Sequence, residues 1–360
     1  MQDKHISYLN IAHKLAEKNF GTTFPNPVVG CLLVKNNKII SKGVTASSGR
    51  PHAEEIALKK AGNKAKGATM YVTLEPCFHN SHNGSCAEQI LRSGLKTLYV
   101  AKHDPDLRTN KKSIKKLKKN GINVFYDLQE SKTNNLNHFF FHSLKHKRPY
   151  IKVKMAMSKD EKIAKSNYKS KWISNSLSRN YAHVLRYKSQ AILTTGKTIM
   201  KDNPRFTVRK YGKIVKHIPT IIIDTSLKIP LNIKILKDIG EKRVIIFTSF
   251  SGKKNDYLRS IGCEVIIVKK NRNKQMNLRT IFKKIYELKI SDIFVEAGGI
   301  FFSNLLKNNL VDEFHLFTSP KLIGKNGKSV LINGNIQDIS GKEVERKKFG
   351  KDMYQRYKIN

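Results

Sequence analysis

His52-Ala53-Glu54, then Pro76-Cys77, then Cys86 set one imidazole, one carboxylate and two thiols in an order that suits hydrolysis at a zinc ion. Replacing an exocyclic amine on a pyrimidine with oxygen requires a water that acts as hydroxide at neutral pH. A zinc ion with three protein ligands and one open position lowers the pKa of its water to about 7. His52, Cys77 and Cys86 are the candidate ligands. Glu54 is the candidate catalytic acid and base: in zinc deaminases a carboxylate that does not bind metal takes the water's proton and delivers protons to the ring nitrogen and the departing ammonia. A structural zinc closes its sphere with four protein ligands, so three plus a carboxylate favour catalysis. The plain alternative is two unconnected cysteines and a surface histidine, and the ordered set weighs against it.

These side chains need rigid supports. Pro51 before His52, with Ala53, Ile56, Ala57 and Leu58 after it, predicts that His52 and Glu54 open a helix. Residues 69–74 read as a short buried strand leading into Glu75-Pro76-Cys77, and a second helix is expected from about Cys86, turning Ala87, Ile90 and Leu91 inward. Cysteines at strand-to-helix turns are favoured as the thiolates that zinc requires. Upstream, a helix over 6–19 would bury Ile6, Leu9, Ala12 and Ala16, and strands over 28–34 and 39–43 form a hairpin around Asn36-Asn37. Strands over 97–101 and 123–125 and a basic helix over 113–120 complete a three-layer α/β sandwich.

Phe139-Phe140-Phe141 closes a helical stretch, and residues 145–149 read as a linker. A new alternation follows, with strands over 150–157, 191–195, 220–224, 244–248, 264–268, 293–296 and 313–318 and helices over 176–187, 278–287 and 301–308. The expected domains are therefore 1–146 and 147–360, the second an α/β domain of a size suited to nucleotide binding. Its strand over 293–296 ends in Ala297-Gly298-Gly299 and enters a helix, a turn at which backbone N–H groups can approach a phosphate. The spacing does not match Gly-x-Gly-x-x-Gly, and an ordinary tight turn is the alternative.

Hydrophobic residues make up 39% of the 360, enough to fill two cores. Cys31 in an apolar run and Cys263 beside Gly262 are expected to be buried thiols. Residues 1–5 carry no signal pattern and no apolar run reaches the ~18 residues that span a bilayer, so a soluble cytoplasmic protein without a membrane partner is expected. The formal charge of +42 would suit a nucleic-acid binder, but the lysines are spread along the whole chain. Abundant Lys, Asn and Ile are what a bias toward AT-rich codons would give, and a phosphorylated substrate would also benefit from the positive field. A homo-oligomer is compatible with the sequence, which does not specify one.

Eight residues, 78–85, separate Cys77 from Cys86, where the general deaminase signature has two. With Thr23-Phe24-Pro25-Asn26-Pro27-Val28-Val29-Gly30 upstream, this loop resembles the deaminase half of the bifunctional riboflavin-biosynthesis family, diaminohydroxyphosphoribosylaminopyrimidine deaminase joined to 5-amino-6-(5-phosphoribosylamino)uracil reductase. Met155-Ala156-Met157-Ser158-Lys159-Asp160, Ser170-Lys171-Trp172-Ile173-Ser174, Gly196-Lys197-Thr198, Asp202-Asn203-Pro204-Arg205-Phe206-Thr207-Val208-Arg209 and Val295-Glu296-Ala297-Gly298-Gly299 resemble the reductase half, in family order.

The resemblance implies a cytidine-deaminase-like three-layer sandwich followed by a dihydrofolate-reductase-like domain, with Zn2+ in the first and NADPH in the second. It implies hydrolytic deamination of 2,5-diamino-6-(5-phosphoribosylamino)pyrimidin-4-one, then reduction of its ribosyl group to ribityl. Asn26 and His79 would contact the substrate in the first half. In the second, Ala156, Trp172, Thr198, Asp202, Thr225 and the Gly298-Gly299 turn would hold NADPH, and Ser170, Arg186, Phe206, Arg209 and Glu296 the phosphoribosylamino substrate. Arginines at 186 and 209 suit a phosphate, which guanidinium groups bind bidentately. Trp172, the only tryptophan, can stack on a ring or pack in the interior. Glu296 is the candidate proton donor to the opened sugar.

Two departures stand out. The loop lacks the family's usual glycine and its Thr-Pro-Pro before the second cysteine, and Glu161 takes the place of glycine in Ser-x-Asp-Gly, which predicts an altered turn where glycine would accept a positive φ. A tRNA-editing zinc deaminase with an accessory C-terminal domain is the competing assignment, opposed by the eight-residue loop and the reductase-like segments.

Overall fold

Alternate side chains of the N-terminal strands feed two different cores, one on each face of the sheet. The computed structural model describes residues 2–23, 25–78, 84–165, 172–272, 274–331 and 336–359, and the chain divides into two compact units, Met1–Lys147 and Arg148–Asn360. The first unit runs α1 (Gln2–Glu17), β1 (Gly30–Lys35), β2 (Lys38–Val44), α2 (Ala53–Ala61), β3 (Thr69–Val72), α3 (Cys86–Arg92), β4 (Thr97–Val100), α4 (Lys112–Lys119), β5 (Asn123–Phe125) and α5 (Glu130–His146). Its sheet has the order β2-β1-β3-β4-β5; β1 is antiparallel to both neighbours, and β3, β4 and β5 are parallel. Cys31, Leu33, Met70 and Val72 pack with Ala57 of α2, Ile90 of α3 and Leu117 of α4. Leu32, Val34 and Tyr71, one residue out of step, pack with Leu9 and Ala12 of α1. The period of two along each strand therefore produces the three layers expected.

Three local features place the first site. Asn36 and Asn37 both adopt positive φ, 49° and 63°, the backbone that a two-residue hairpin needs and that Asn tolerates. At Gly43 a Cβ would lie 2.0 Å from the Ala53 carbonyl oxygen, so only glycine lets β2 approach the start of α2 this closely. Asn137, where α5 kinks, accepts from the Val28 N–H at 2.9 Å and donates to the Val28 carbonyl at 3.1 Å, fixing the segment that follows Asn26. α5 also runs through Phe139-Phe140-Phe141 and takes in Lys145 and His146, assigned above to the linker; the helix stops at Lys147, a left-handed cap.

The second unit begins with β6 (Tyr150–Ser158), β7 (Lys162–Ala164), α6 (Ser176–Tyr187), β8 (Ala191–Thr195), α7 (Gly196–Asp202), β9 (Thr207–Lys210), β10 (Lys213–His217) and β11 (Thr220–Ile223). It continues with β12 (Val244–Thr248), α8 (Lys253–Ser260), β13 (Glu264–Ile267), α9 (Leu278–Glu287), β14 (Asp292–Val295), α10 (Gly299–Lys307), β15 (Glu313–Ser319), β16 (Lys328–Ser329), β17 (Lys342–Phe349) and β18 (Asp352–Lys358). The main sheet has the order β13-β12-β11-β8-β14-β6-β15-β18-β17. It is parallel from β13 to β15 and closes with the antiparallel β18 and β17. Runs such as Ile221-Ile222-Ile223 are buried on both faces, as parallel central strands require. β14 inserts between β8 and β6, and the crevice beyond the carboxyl ends of strands at such a reversal of order is where open α/β sheets bind ligands. Among the described residues no helix is long and apolar enough to cross a membrane.

Candidate active sites

His52, Cys77 and Cys86 come together in the first unit, each offering a ligand atom within 4.8 Å of the others. His52 is the N-cap of α2, and Glu54 lies in its first turn. Cys77 follows the end of β3, and Cys86 opens α3 behind a capping box made by Ser85 and Glu88. The His52 Nδ1 is 3.3 Å from the Cys86 Sγ, and the Cys86 N–H donates to the Cys77 Sγ at 3.3 Å. The Cys77 thiol is held well below its ordinary range, chiefly by its hydrogen bond with the Cys86 side chain and further by His52. One imidazole and two thiols, one of them poised to ionise, form a donor set that fits zinc with a coordination position to spare. Glu54 is buried, and desolvation pushes its carboxyl up to about 7 in the absence of metal.

Asn26, expected as a substrate contact, sits against the candidate ligand His52. Its amide nitrogen donates to the Gly49 carbonyl at 2.8 Å and lies 3.2 Å from the His52 Nε2. It thus touches the ring nitrogen that faces away from the thiols, the position from which neighbours orient a ligating histidine. His79 lies outside the described residues.

In the second unit a cavity of about 2200 Å³ opens at the carboxyl ends of β8, β14, β6 and β11. Ala156, Trp172, Thr198, Asp202, Thr225, Gly298 and Gly299 all line it, as do Arg186, Phe206, Arg209 and Glu296; Ser170 lies outside the described residues. Typical ligand pockets span about 300–1,000 Å³, so this one has room for a dinucleotide and a second molecule. A Cβ on Gly298 would meet nothing within 4 Å, whereas one on Gly299 would lie 2.4 Å from the Val330 carbonyl oxygen. The first glycine faces open space at the start of α10, where an anion is favoured, and the second is required for packing. The cavity therefore fits NADPH. Trp172 is 63% exposed with the Arg179 guanidinium 4.2 Å from its ring, which rules out the interior role. Trp172, Asn203 and Phe206 hold left-handed backbones at φ 67°, 40° and 47° along this wall, the kind of local strain that collects at binding sites.

Two of the charged groups lining the cavity, Arg186 and Glu296, pair with each other. Arg186 donates through Nε and Nη2 to the two Glu296 oxygens. Burial alone would raise the Glu296 pKa, but Arg186 and then Lys154 outweigh it and keep the carboxyl ionised below its ordinary value. An ionised carboxylate accepts protons, which weighs against the donor role that the sequence suggested for Glu296. Two other cavity residues were missed. Lys154 has its pKa lowered by burial despite the pull of Glu296. His183 accepts from the Arg209 N–H at 3.1 Å, and burial followed by the Arg186 charge pushes it down to about 4, so it stays neutral. A signal for Lys154 was present: it is one of two lysines, with Lys152, inside a mostly apolar central strand, and such a lysine has to be paired or functional.

The turn at Glu161 is not altered. Glu161 keeps φ at 58°, the left-handed backbone that glycine would adopt freely. Cys31 and Cys263 are buried, as expected.

Comparison with known proteins places both halves of the chain in known families. Residues 2–102 match the model of the cytidine and deoxycytidylate deaminase zinc-binding region, and residues 149–354 match that of the RibD C-terminal domain. The riboflavin biosynthesis protein RibD of Aquifex aeolicus is 39% identical over 319 residues, covering 89% of this chain and 88% of the relative. That of Escherichia coli is 31% identical over 352 residues, with 94% of each chain covered. Acinetobacter baumannii RibD superposes with a TM-score of 0.88 at 28% identity, covering 100% of this chain and 99% of the other.

The protein is a zinc-dependent deaminase fused to an NADPH-dependent reductase. It belongs to the RibD family, the bifunctional enzymes of riboflavin biosynthesis. The editing-deaminase assignment falls with the match of residues 149–354.

Proposed function

We propose that residues 1–146 deaminate 2,5-diamino-6-(5-phosphoribosylamino)pyrimidin-4-one at a zinc held by His52, Cys77 and Cys86, and that residues 147–360 then reduce the ribosyl group to ribityl with NADPH. The observation that carries the first half is the convergence of three ligand atoms within 4.8 Å, next to a buried carboxylate two residues beyond the histidine. When bound, zinc supplies a hydroxide at neutral pH. Glu54 takes the water's proton and returns protons to the ring nitrogen and the leaving ammonia. Asn26 and His79 hold the substrate, Asn26 also steadying the His52 ring.

In the reductase half NADPH supplies the hydride, and the chain's task is positioning and charge. Gly298 and the start of α10 receive a cofactor phosphate; Thr198, Asp202 and Thr225 line the same wall, with Ala156, Trp172 and Gly299 completing it. As hydride adds at ribose C1, the C1–O bond to the ring oxygen breaks and that oxygen takes a proton. Lys154, beside Glu296, delivers it, and the Arg186–Glu296 pair with Phe206 and Ser170 orients the sugar. Arg209 is the guanidinium left for the 5-phosphate.

The phosphoribosylaminopyrimidine is the partner in this scheme, and no nucleic-acid or membrane partner is needed. A reducing cytoplasm suits the two thiol ligands, and a homo-oligomer is compatible with it. The test is ammonia release and NADPH oxidation, followed separately on zinc-loaded protein. Ammonia release lost in Glu54→Ala, with NADPH oxidation restored by supplying the deaminated intermediate, is the expected result. Ammonia without NADPH oxidation would remove the reductase assignments, and neither signal would remove both.

A further inference from the structure

We propose that Glu75 is a positioning residue of the zinc site, fixing the Cys77 turn through the loop and helix that its carboxylate holds. This rests on Cys77 and Cys86 being zinc ligands. Glu75 is 3% exposed, and four donors converge on it. Oε2 accepts from the backbone N–H of Asp104 at 3.0 Å and of Lys111 at 2.9 Å. Oε1 accepts from the Ser113 hydroxyl at 2.7 Å and the Ile114 N–H at 3.4 Å.

The last three donors belong to the start of α4, which has no side-chain cap of its own. A helix start needs acceptors for its free N–H groups and favours negative charge, and Glu75 supplies both from a distant strand end. The same loop grips the far side of Cys77, because Thr109, fully buried, accepts through Oγ1 from the Phe78 N–H at 3.5 Å. α4 reaches the second cysteine as well: Lys116 donates at 3.1 Å to Glu88, the capping-box residue of the helix that Cys86 opens. Residues 104–116 therefore brace both thiols, and Glu75 is the acceptor on which the brace hangs.

Glutamine at 75 would keep the shape but turn an amide N–H2 toward a site built only of donors. The test measures zinc affinity of the full-length protein by competition with a chromophoric chelator, alongside a thermal melt and the kcat and KM of the zinc-saturated deaminase. Cys77→Ala checks the ligand set itself: if it binds zinc as tightly as the wild type, that assignment fails whatever Glu75 does. With Cys77→Ala defective, Glu75→Gln is expected to weaken zinc by about 10–100-fold, the range for groups that orient metal ligands. Ser113→Ala, which removes one donor, is expected to weaken it by about fivefold, and both variants should lower kcat more than they raise KM. A lower melting temperature with zinc affinity within about twofold of wild type would mean Glu75 only stabilises the fold, and would overturn the proposal. If Glu75→Gln does not fold, Ser113→Ala decides: weakened zinc upholds the brace, and unchanged zinc overturns it.

Discussion

Arg186 and Glu296, 110 residues apart in the chain, meet through two parallel hydrogen bonds inside the reductase cavity, Nε to Oε1 at 2.5 Å and Nη2 to Oε2 at 2.9 Å. The arginine side chain is 17% exposed and the glutamate 13%. A guanidinium engaged in this way is already neutralised, so it serves the sugar end of the substrate better than the phosphate end. Arg209, whose Nε donates to the Thr207 hydroxyl, is the more available partner for an anion.

The two arginines should therefore fail differently. Arg186→Ala strips a buried carboxylate of its hydrogen-bonded partner, a change that costs up to about 3–5 kcal/mol, so the second unit should melt earlier and NADPH oxidation should fall in kcat. Arg209→Ala removes charge-assisted bonds worth about 1.5–3 kcal/mol, and the expected result is a KM for the phosphorylated intermediate raised about 10–100-fold with kcat near wild type. Steady-state NADPH oxidation on the supplied intermediate measures both, and a kcat effect in Arg209→Ala would reassign the phosphate site. Ammonia release should be unchanged in each.

Glu54→Gln should separate proton transfer from metal binding. Glutamine fills the same buried space without a titrating group, so ammonia release is expected to fall by about 10²–10⁴-fold, the usual contribution of a general acid and base. Metal content, measured on the purified variant, should stay at the wild-type level because Glu54 is not among the clustered ligands. Loss of zinc would make Glu54 a ligand instead.

The legible parts of the chain were those whose signal is local. Helix formers around His52 placed the start of α2, and the bounds of α6, α9, β8 and β12 coincide with those read from periodicity. The hairpin β17–β18 was not anticipated, because β17 reads Lys-Glu-Val-Glu-Arg-Lys-Lys-Phe and has no apolar face to alternate. β10 escaped because its five residues, Lys-Ile-Val-Lys-His, are too few to show an alternation. In the sites, residue identity could be read but charge pairing could not. Nothing in a linear spacing shows that Arg186 is spent on Glu296, that four donors meet at Glu75, or that Lys154 shares their cavity, since each of these depends on strand order.

Glu161 should be replaceable to advantage. A non-glycine residue at φ 58° is disfavoured by about 1–2 kcal/mol relative to its ordinary backbone. Among the described residues the side chain offsets part of this through a long contact, the Ile336 N–H to Oε2 at 3.4 Å. Glu161→Gly is therefore expected to stabilise the second unit by about 1 kcal/mol. For a unit of this size that raises the melting temperature by about 2–4 °C. An unchanged or lower melting temperature would mean that the glutamate contacts outweigh the backbone strain.

Asp104 makes stability depend on pH. Its side chain is 8% exposed, and desolvation, followed in smaller measure by the carboxylates of Asp106 and Glu75, pushes the carboxyl up to about 7. A carboxyl whose pKa rises on folding takes up a proton as the chain folds at intermediate pH. Stability is then greatest below the unfolded pKa near 4 and falls as pH rises, the loss being complete above about 7. The shift from 3.8 to about 7 corresponds to at most about 4 kcal/mol. Asp104→Asn keeps an acceptor for the Asp106 N–H, which the aspartate meets at 2.9 Å, and removes the charge. The variant should be more stable than wild type at pH 8, with an advantage that shrinks steadily between pH 7 and pH 4. Denaturant melts of the first unit across that range measure it, and a constant difference would mean that Asp104 is not the titrating group.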